Sequence, residues 1–212
     1  MARLIYGARV SLAVVLSGVS CGVIFGGLFG SFVGYVRGKR EAAVMAAIDV
    51  VLAFPGLVLL LTIITFVGSR DLKVVCIIIG VLSIPVYTRV ARANALTISR
   101  REFVAAAEAL GTKQRTILVK EIVPNVLPTV LAYALVAAAV LVALEGALAF
   151  LGLSVESPAP SWGNMINLAR ADLRVTIWPA VWPSLALVFT VFSLNNVGDF
   201  IRQRAQKRAA AI

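Results

Sequence analysis

Long apolar runs separated by short polar connections occupy most of the chain, at about 10–36, 42–67, 72–91, 126–150 and 177–198. A helix rises 1.5 Å per residue, so about 20 residues cover the roughly 30 Å hydrocarbon layer of a bilayer. Each run is therefore predicted to be a membrane-spanning helix. Along the first, Gly18, Gly22, Gly26, Gly30 and Gly34 recur every four residues, a small-residue stripe on which another helix backbone can pack closely. Packing is the reading of this stripe, with a place in a pore lining as the alternative. Pro55 interrupts the second run and is expected to kink it; Pro85 is expected to break the third. Asp49 lies in the second run close to Arg37, Lys39 and Arg40. A carboxylate there needs protein or water around it, and a buried ion pair or hydrogen bond with basic segments is expected ahead of a substrate site. Lys73 and Arg89 bracket the third run and are expected to snorkel outward. Glu145 stands near the far end of the fourth. Trp178, Pro179, Trp182 and Pro183 open the fifth, and the paired tryptophans mark a membrane interface. The loop 151–176 contains prolines and a short amphipathic stretch expected to lie flat on the membrane surface.

One long polar passage, 99–124, breaks this pattern. Ser99 with Glu102 has the spacing of a capping box and predicts a helix start. Phe103, Ala106, Ala107 and Leu110 fall on one face of that helix, and Gly111 suits the left-handed residue that ends it. Thr112 is expected to cap a second helix through Ile117, Leu118 and Ile122. Pro124 and Pro128 are expected in the first turn of a new, longer helix. The prediction is a compact helix-turn-helix knob joined to a membrane span; from periodicity alone, a segment lying on the lipid surface is the competing reading.

Composition agrees with the pattern. The 212 residues are 60% hydrophobic and 14% charged, with mean hydropathy +0.97, which defines an all-α, polytopic membrane bundle of five predicted spans. The chain has no histidine, which removes the usual general base and the commonest metal ligand. No metal site and no catalytic residue is predicted. Cys21 and Cys76 stand singly in apolar runs and read as buried thiols. The net charge of +10 is assigned to the positive-inside bias and anionic lipid, and no nucleic-acid partner is expected. Fourteen of the twenty Lys and Arg residues fall on the side of the knob. The knob and C-terminus are therefore expected in the cytoplasm and the N-terminus outside, an arrangement that predicts a further span ahead of residue 1.

The knob resembles the EAA loop of ABC-importer permeases, in which Glu-Ala-Ala is followed after three residues by Gly and thirteen residues later by a Leu-Pro-type ending. Ala106, Ala107, Gly111 and Pro124 match that spacing; Ala105 replaces the Glu, and Val123 stands for the Leu. RLIYGARVSL at 3–12, DVVLAFP at 49–55, FLGLSVESPAPSWGNMI at 150–166 and the 195–199 end of the last span resemble the dipeptide, oligopeptide and nickel importer permeases. In that family a sixth span precedes the RLIYGARVSL region. A misplaced start, a truncated gene or a dispensable first span are the corresponding expectations.

The resemblance implies a permease that pairs with a second permease, each pressing its knob into one of two ATPase subunits. It also implies supply by an extracytoplasmic substrate-binding protein. The coupling residues implied are Glu102, Phe103, Ala105, Ala106, Ala107, Glu108, Leu110, Gly111 and Pro124, with Glu102 or Glu108 compensating for the Glu missing at 105. Pro55, Pro85 and Asp49 are hinge or structural positions. The chain contains no GxxxxGK[ST] phosphate loop, so ATP and Mg are assigned to the partner ATPases and no cofactor to this chain. Thr62, Thr65, Ser83, Thr190, Ser193 and Asn195 suit a wet, permissive passage for peptides, while the substrate pathway is unassigned. A nickel-chelate importer is the alternative within the family; a secondary transporter, an inactive truncated permease and an intramembrane enzyme are the alternatives outside it. The resemblance places the protein in the inner membrane. It also offers docking of the binding protein, or gating, for the loop 154–163, against a plain connection.

Overall fold

The computed structural model describes residues 2–155 and 160–210. Ten α-helices follow one another among them: α1 Ala2–Cys21, α2 Gly27–Val36, α3 Lys39–Ala53, α4 Gly56–Val67, α5 Leu72–Ile98, α6 Glu102–Ala109, α7 Gln114–Ile117, α8 Val123–Phe150, α9 Trp162–Ala169 and α10 Trp178–Ala210. Two π-turns, Gly22–Gly26 and Leu118–Ile122, join α1 to α2 and α7 to α8. Among the described residues, four helical runs are long and apolar enough to cross a membrane, and five if α3 and α4 are two halves of one broken span. The all-α bundle expected from the pattern is the fold observed.

The chain divides into two compact units. The first comprises Met1–Val19, Pro55–Leu82 and Leu135–Gly198. Its core joins Val10 and Val14 of α1, Leu60 and Ile64 of α4, Val75, Ile78 and Ile79 of α5, and Leu148 of α8 with Val155. A second cluster sets Val15 against Ala138 and Val142, with Leu187, Val191 and Leu194 of α10 packed over it. Trp178 and Trp182 stack at 6.0 Å and stay exposed, as interfacial tryptophans do. Residues 156–159 of the loop after α8 lie outside the described residues, so the expectation for the whole of 154–163 is followed only at its two ends.

The second unit comprises Ser20–Phe54, Ser83–Ala134 and Asp199–Ile212. Here the glycine stripe does its packing. A Cβ on Gly26 would lie 2.7 Å from the Ile84 carbonyl oxygen, one on Gly34 2.7 Å from that of Arg92, and Gly22 and Gly30 abut the Tyr87 ring and the Thr88 carbonyl. Backbone touches backbone along more than two turns of α5, the close approach that glycine alone permits. The Tyr87 ring meets Tyr133 edge-on at 5.5 Å.

The prolines behave differently from one another. Phe54 and Pro55 are extended and separate α3 from α4, so Pro55 breaks its run outright. Pro85 does not break the third span: α5 continues from Leu72 to Ile98 through it. Neighbouring helices in a packed bundle hold such a segment in shape despite the missing hydrogen bond. Pro124 falls in the first turn of α8 as expected, with Pro128 inside the helix beyond it, but α8 is not set apart from what precedes it. α7, the π-turn and α8 form one continuous run, Gln114–Phe150. The π-turn sits immediately before Pro124, and its wider i→i+5 bonding pattern accommodates a residue that cannot donate.

Candidate coupling surface

α6 and α7 form the knob, within the second unit. α6 runs Glu102–Ala109 and starts from an extended Arg101 with no side-chain cap. The expected capping box is not made. Ser99 Oγ accepts from Arg37 Nη2 at 2.6 Å and donates to the Leu96 carbonyl at 3.1 Å. It closes the end of α5, and Arg37, sixty-two positions away in sequence, occupies the oxygen that would have capped α6. Arg37 itself adopts φ 53° and is followed by Gly38 at φ 90°, a sharp turn between α2 and α3.

The C-terminal end follows expectation. Gly111 has φ 74°; its N–H reaches the Glu108 carbonyl at 2.9 Å, and Thr112 N–H reaches that of Ala107 at 3.1 Å. This pair of bonds is a Schellman ending, which satisfies two orphan carbonyls. Thr112 is not the next cap. Lys113 precedes α7, again without a side-chain bond.

Val104, Ile117 and Ile122 are the buried anchors of the knob, each at most 1% exposed. Val104 lies one residue off the face read from periodicity. Phe103 is 42% and Leu110 85% exposed; Ala105 and Ala106 are exposed, and Ala107 is half-buried. The structure thus brings Phe103, Ala106, Ala107 and Leu110 together on a helix held down along the adjoining edge by Val104. Glu102 is exposed in the first turn of α6, where a carboxylate complements the helix dipole. Glu108 accepts from Tyr35 Oη of α2 at 3.2 Å. Pro124 is exposed at the head of α8.

Asp49 pairs with Arg89, so the expected ion pair exists and Arg89 does not simply snorkel. It is not buried: the two side chains are 59% and 52% exposed. The better-covered pair is one that pattern reading missed. Arg92 Nε donates to Glu41 Oε1 at 2.8 Å, with the side chains 30% and 13% exposed. Both pairs fasten α3 to α5. The spacing of Arg89 and Arg92 on one helix was the available signal, but the partner helix was not readable from it.

A fold of this kind, a polytopic helical bundle with a short helical knob between spans, is that of an inner-membrane transport permease. Residues 26–210 match the family described as binding-protein-dependent transport system inner membrane component, and the chain belongs to that family. It is 32% identical over 200 residues to the glutathione transport system permease protein GsiD of Pectobacterium atrosepticum and 33% identical to GsiD of Escherichia coli. Each alignment covers 94% of this chain and 66% of the relative; the chain spans about two thirds of their length. Among solved structures it resembles the MetNI methionine ABC transporter in inward-facing conformations, with TM-score 0.79, 21% identity and 96% of each chain covered. An amino acid ABC transporter crystallised with histidines gives TM-score 0.68 at 16% identity, covering 96% of this chain and 94% of the other. At these identities the likeness is one of fold, and the fold is that of ABC-transporter permeases.

Proposed function

We propose that this chain is a permease subunit of an ATP-driven importer for peptides, forming half of the translocation pathway and coupled through α6 to an ATPase subunit. The observation that carries the coupling role is the knob itself: Val104 pins α6 while Phe103, Ala106 and Leu110 face outward. Glu102 and Glu108 border that surface, and Ala105, the position where the family has Glu, keeps it close-fitting. Gly111 ends the helix so that α7 turns back at once. α7 then continues into α8 through Pro124 without interruption, so a push on the knob is a push on the head of a membrane span. Such rigid displacement is a recognised way of switching between two states.

The cytoplasmic side is assigned to the knob by the positive-inside rule, which also places the C-terminus there. Two ATPase subunits, binding ATP and Mg, a second permease and an extracytoplasmic binding protein complete the assembly. The many apolar side chains exposed along the spans, such as Phe29, Phe32, Val188 and Phe192, are then covered by lipid and by the second permease. The GsiD relatives support a peptide-like substrate over a nickel chelate.

The test is a pull-down of the tagged chain from gently solubilised membranes, with and without residues 102–121. Recovery of a second permease and of ATPases, with only the ATPases lost on deletion, supports the proposal. An intact chain that comes down alone contradicts it.

A further inference from the structure

Among the described residues, Glu145 is the only buried carboxylate, and it is 0% exposed. Its Oε2 accepts from Ser11 Oγ at 3.0 Å and its Oε1 from Ser154 Oγ at 3.2 Å. Ser11, Ser154 and Ser161 are themselves buried. Two of these hydroxyls also accept. Trp162 N–H donates to Ser11 Oγ at 3.3 Å, and Asn164 N–H to Ser161 Oγ at 3.2 Å, the latter capping α9. Trp162 Nε1 donates to the Leu4 carbonyl at 3.0 Å.

Steric fit accompanies the polar network. A Cβ on Gly163 would stand 2.7 Å from the Gly146 carbonyl, and one on Gly7 3.2 Å from the Trp162 ring. The first turn of α9 is therefore seated on both α1 and the end of α8. All of these residues belong to the first unit.

We infer that Glu145 is a buried lock that makes α9 a fixed extension of α1 and α8, so that α9 travels with them during transport and does not swing as a gate. The physical reason is the cost of release. A carboxylate removed from water is tolerable only while its donors stay in place, and lifting α9 away would pull Trp162 N–H off Ser11, one of those donors. A hydroxyl that accepts on one side and donates on the other, as that of Ser11 does, strengthens both bonds. The lock rests on the transport reading for its biological meaning, not for its existence.

Hydrogen exchange of the amides in Trp162–Ala169 tests it. In the assembled transporter, their exchange is expected to agree within about threefold between the nucleotide-free state and the state trapped with ATP and vanadate. A larger change overturns the inference. On the chain in nanodiscs, Glu145→Gln, whose amide cannot accept at both ends from Ser11 and Ser154, is expected to raise exchange across α9 by about tenfold. Should that variant not accumulate, Ser11→Ala, which breaks the link from Glu145 to Trp162 N–H and leaves the α9 cap intact, reads the same quantity. Exchange in the variants that stays within about threefold of wild type overturns the lock. Failure of the wild-type complex to transport would count against the proposed function alone, because the nanodisc comparison needs no partner.

Discussion

Gly34 leaves so little room beside Arg92 that a Cβ there would lie 2.7 Å from the Arg92 carbonyl oxygen. Backbone lies where a side chain would have to go, and backbone cannot rotate away. Gly34→Leu, and Gly30→Leu at the Thr88 carbonyl, are expected to cost about 3 kcal/mol or more through overpacking. Gly56 makes the control: nothing lies within 4 Å of its Cβ position and it begins a helix. Gly56→Ala is expected to leave thermal stability unchanged or to raise it by about 0.5 kcal/mol. Thermal unfolding of the purified chain in detergent reads all three, and a tolerated Gly34→Leu would refute the close packing of α2 on α5.

The two ion pairs between α3 and α5 differ in cover, so they should differ in worth. Asp49 and Arg89 are more than half exposed, and Asp49→Asn is expected to cost less than about 1 kcal/mol. Glu41 is 13% exposed, and Glu41→Gln, which leaves the half-covered Arg92 without its anion, is expected to cost about 2 kcal/mol. A double-mutant cycle on each pair measures the order. Equal coupling energies would show that cover does not decide it.

Gly111 ends α6 at φ 74° with open space on every side. The constraint there is conformational and not steric. Gly111→Asn, which tolerates the left-handed region, should keep α6 and lose only a few tenths of a kcal/mol, whereas Gly111→Val should cost about 1–2 kcal/mol and fray the helix. Exchange of the α6 amides distinguishes the two; equal exchange in both variants would contradict the Schellman ending.

Tyr87 is 1% exposed and, among the described residues, its hydroxyl has no hydrogen-bond partner. Burying such a group without compensation costs about 1–3 kcal/mol. Tyr87→Phe keeps the edge-on contact with Tyr133 and removes the stranded hydroxyl. The melting temperature is expected to rise or hold, and a fall of several degrees would mean that the hydroxyl is satisfied.

What pattern reading captured was local. The spans follow from hydrophobic run length, the glycine stripe from a period of four, and the Gly111 ending from the preference of one residue for one backbone conformation. Where it failed, a distant partner decided the outcome. Ser99 had the right spacing to cap α6, but Arg37 takes its oxygen. Pro85 carries a breaker's signature, yet the packed helix runs through it. Glu145 looked like a residue at the end of a span; its meaning came only when Ser11 and Ser154 arrived from two other parts of the chain. Val104, which anchors α6 to the rest of the unit, had no such signal, because its partners lie elsewhere in the chain.

The central claim is that the exposed face of α6 couples this permease to an ATPase, and Ala106→Arg tests it most directly. The Ala106 side chain is exposed, so the variant should insert and accumulate as wild type does. ATP-driven peptide uptake by the reconstituted transporter is expected to fall by about two orders of magnitude, as a bulky charge at the centre of a desolvated interface does. Uptake at the wild-type rate would contradict the account.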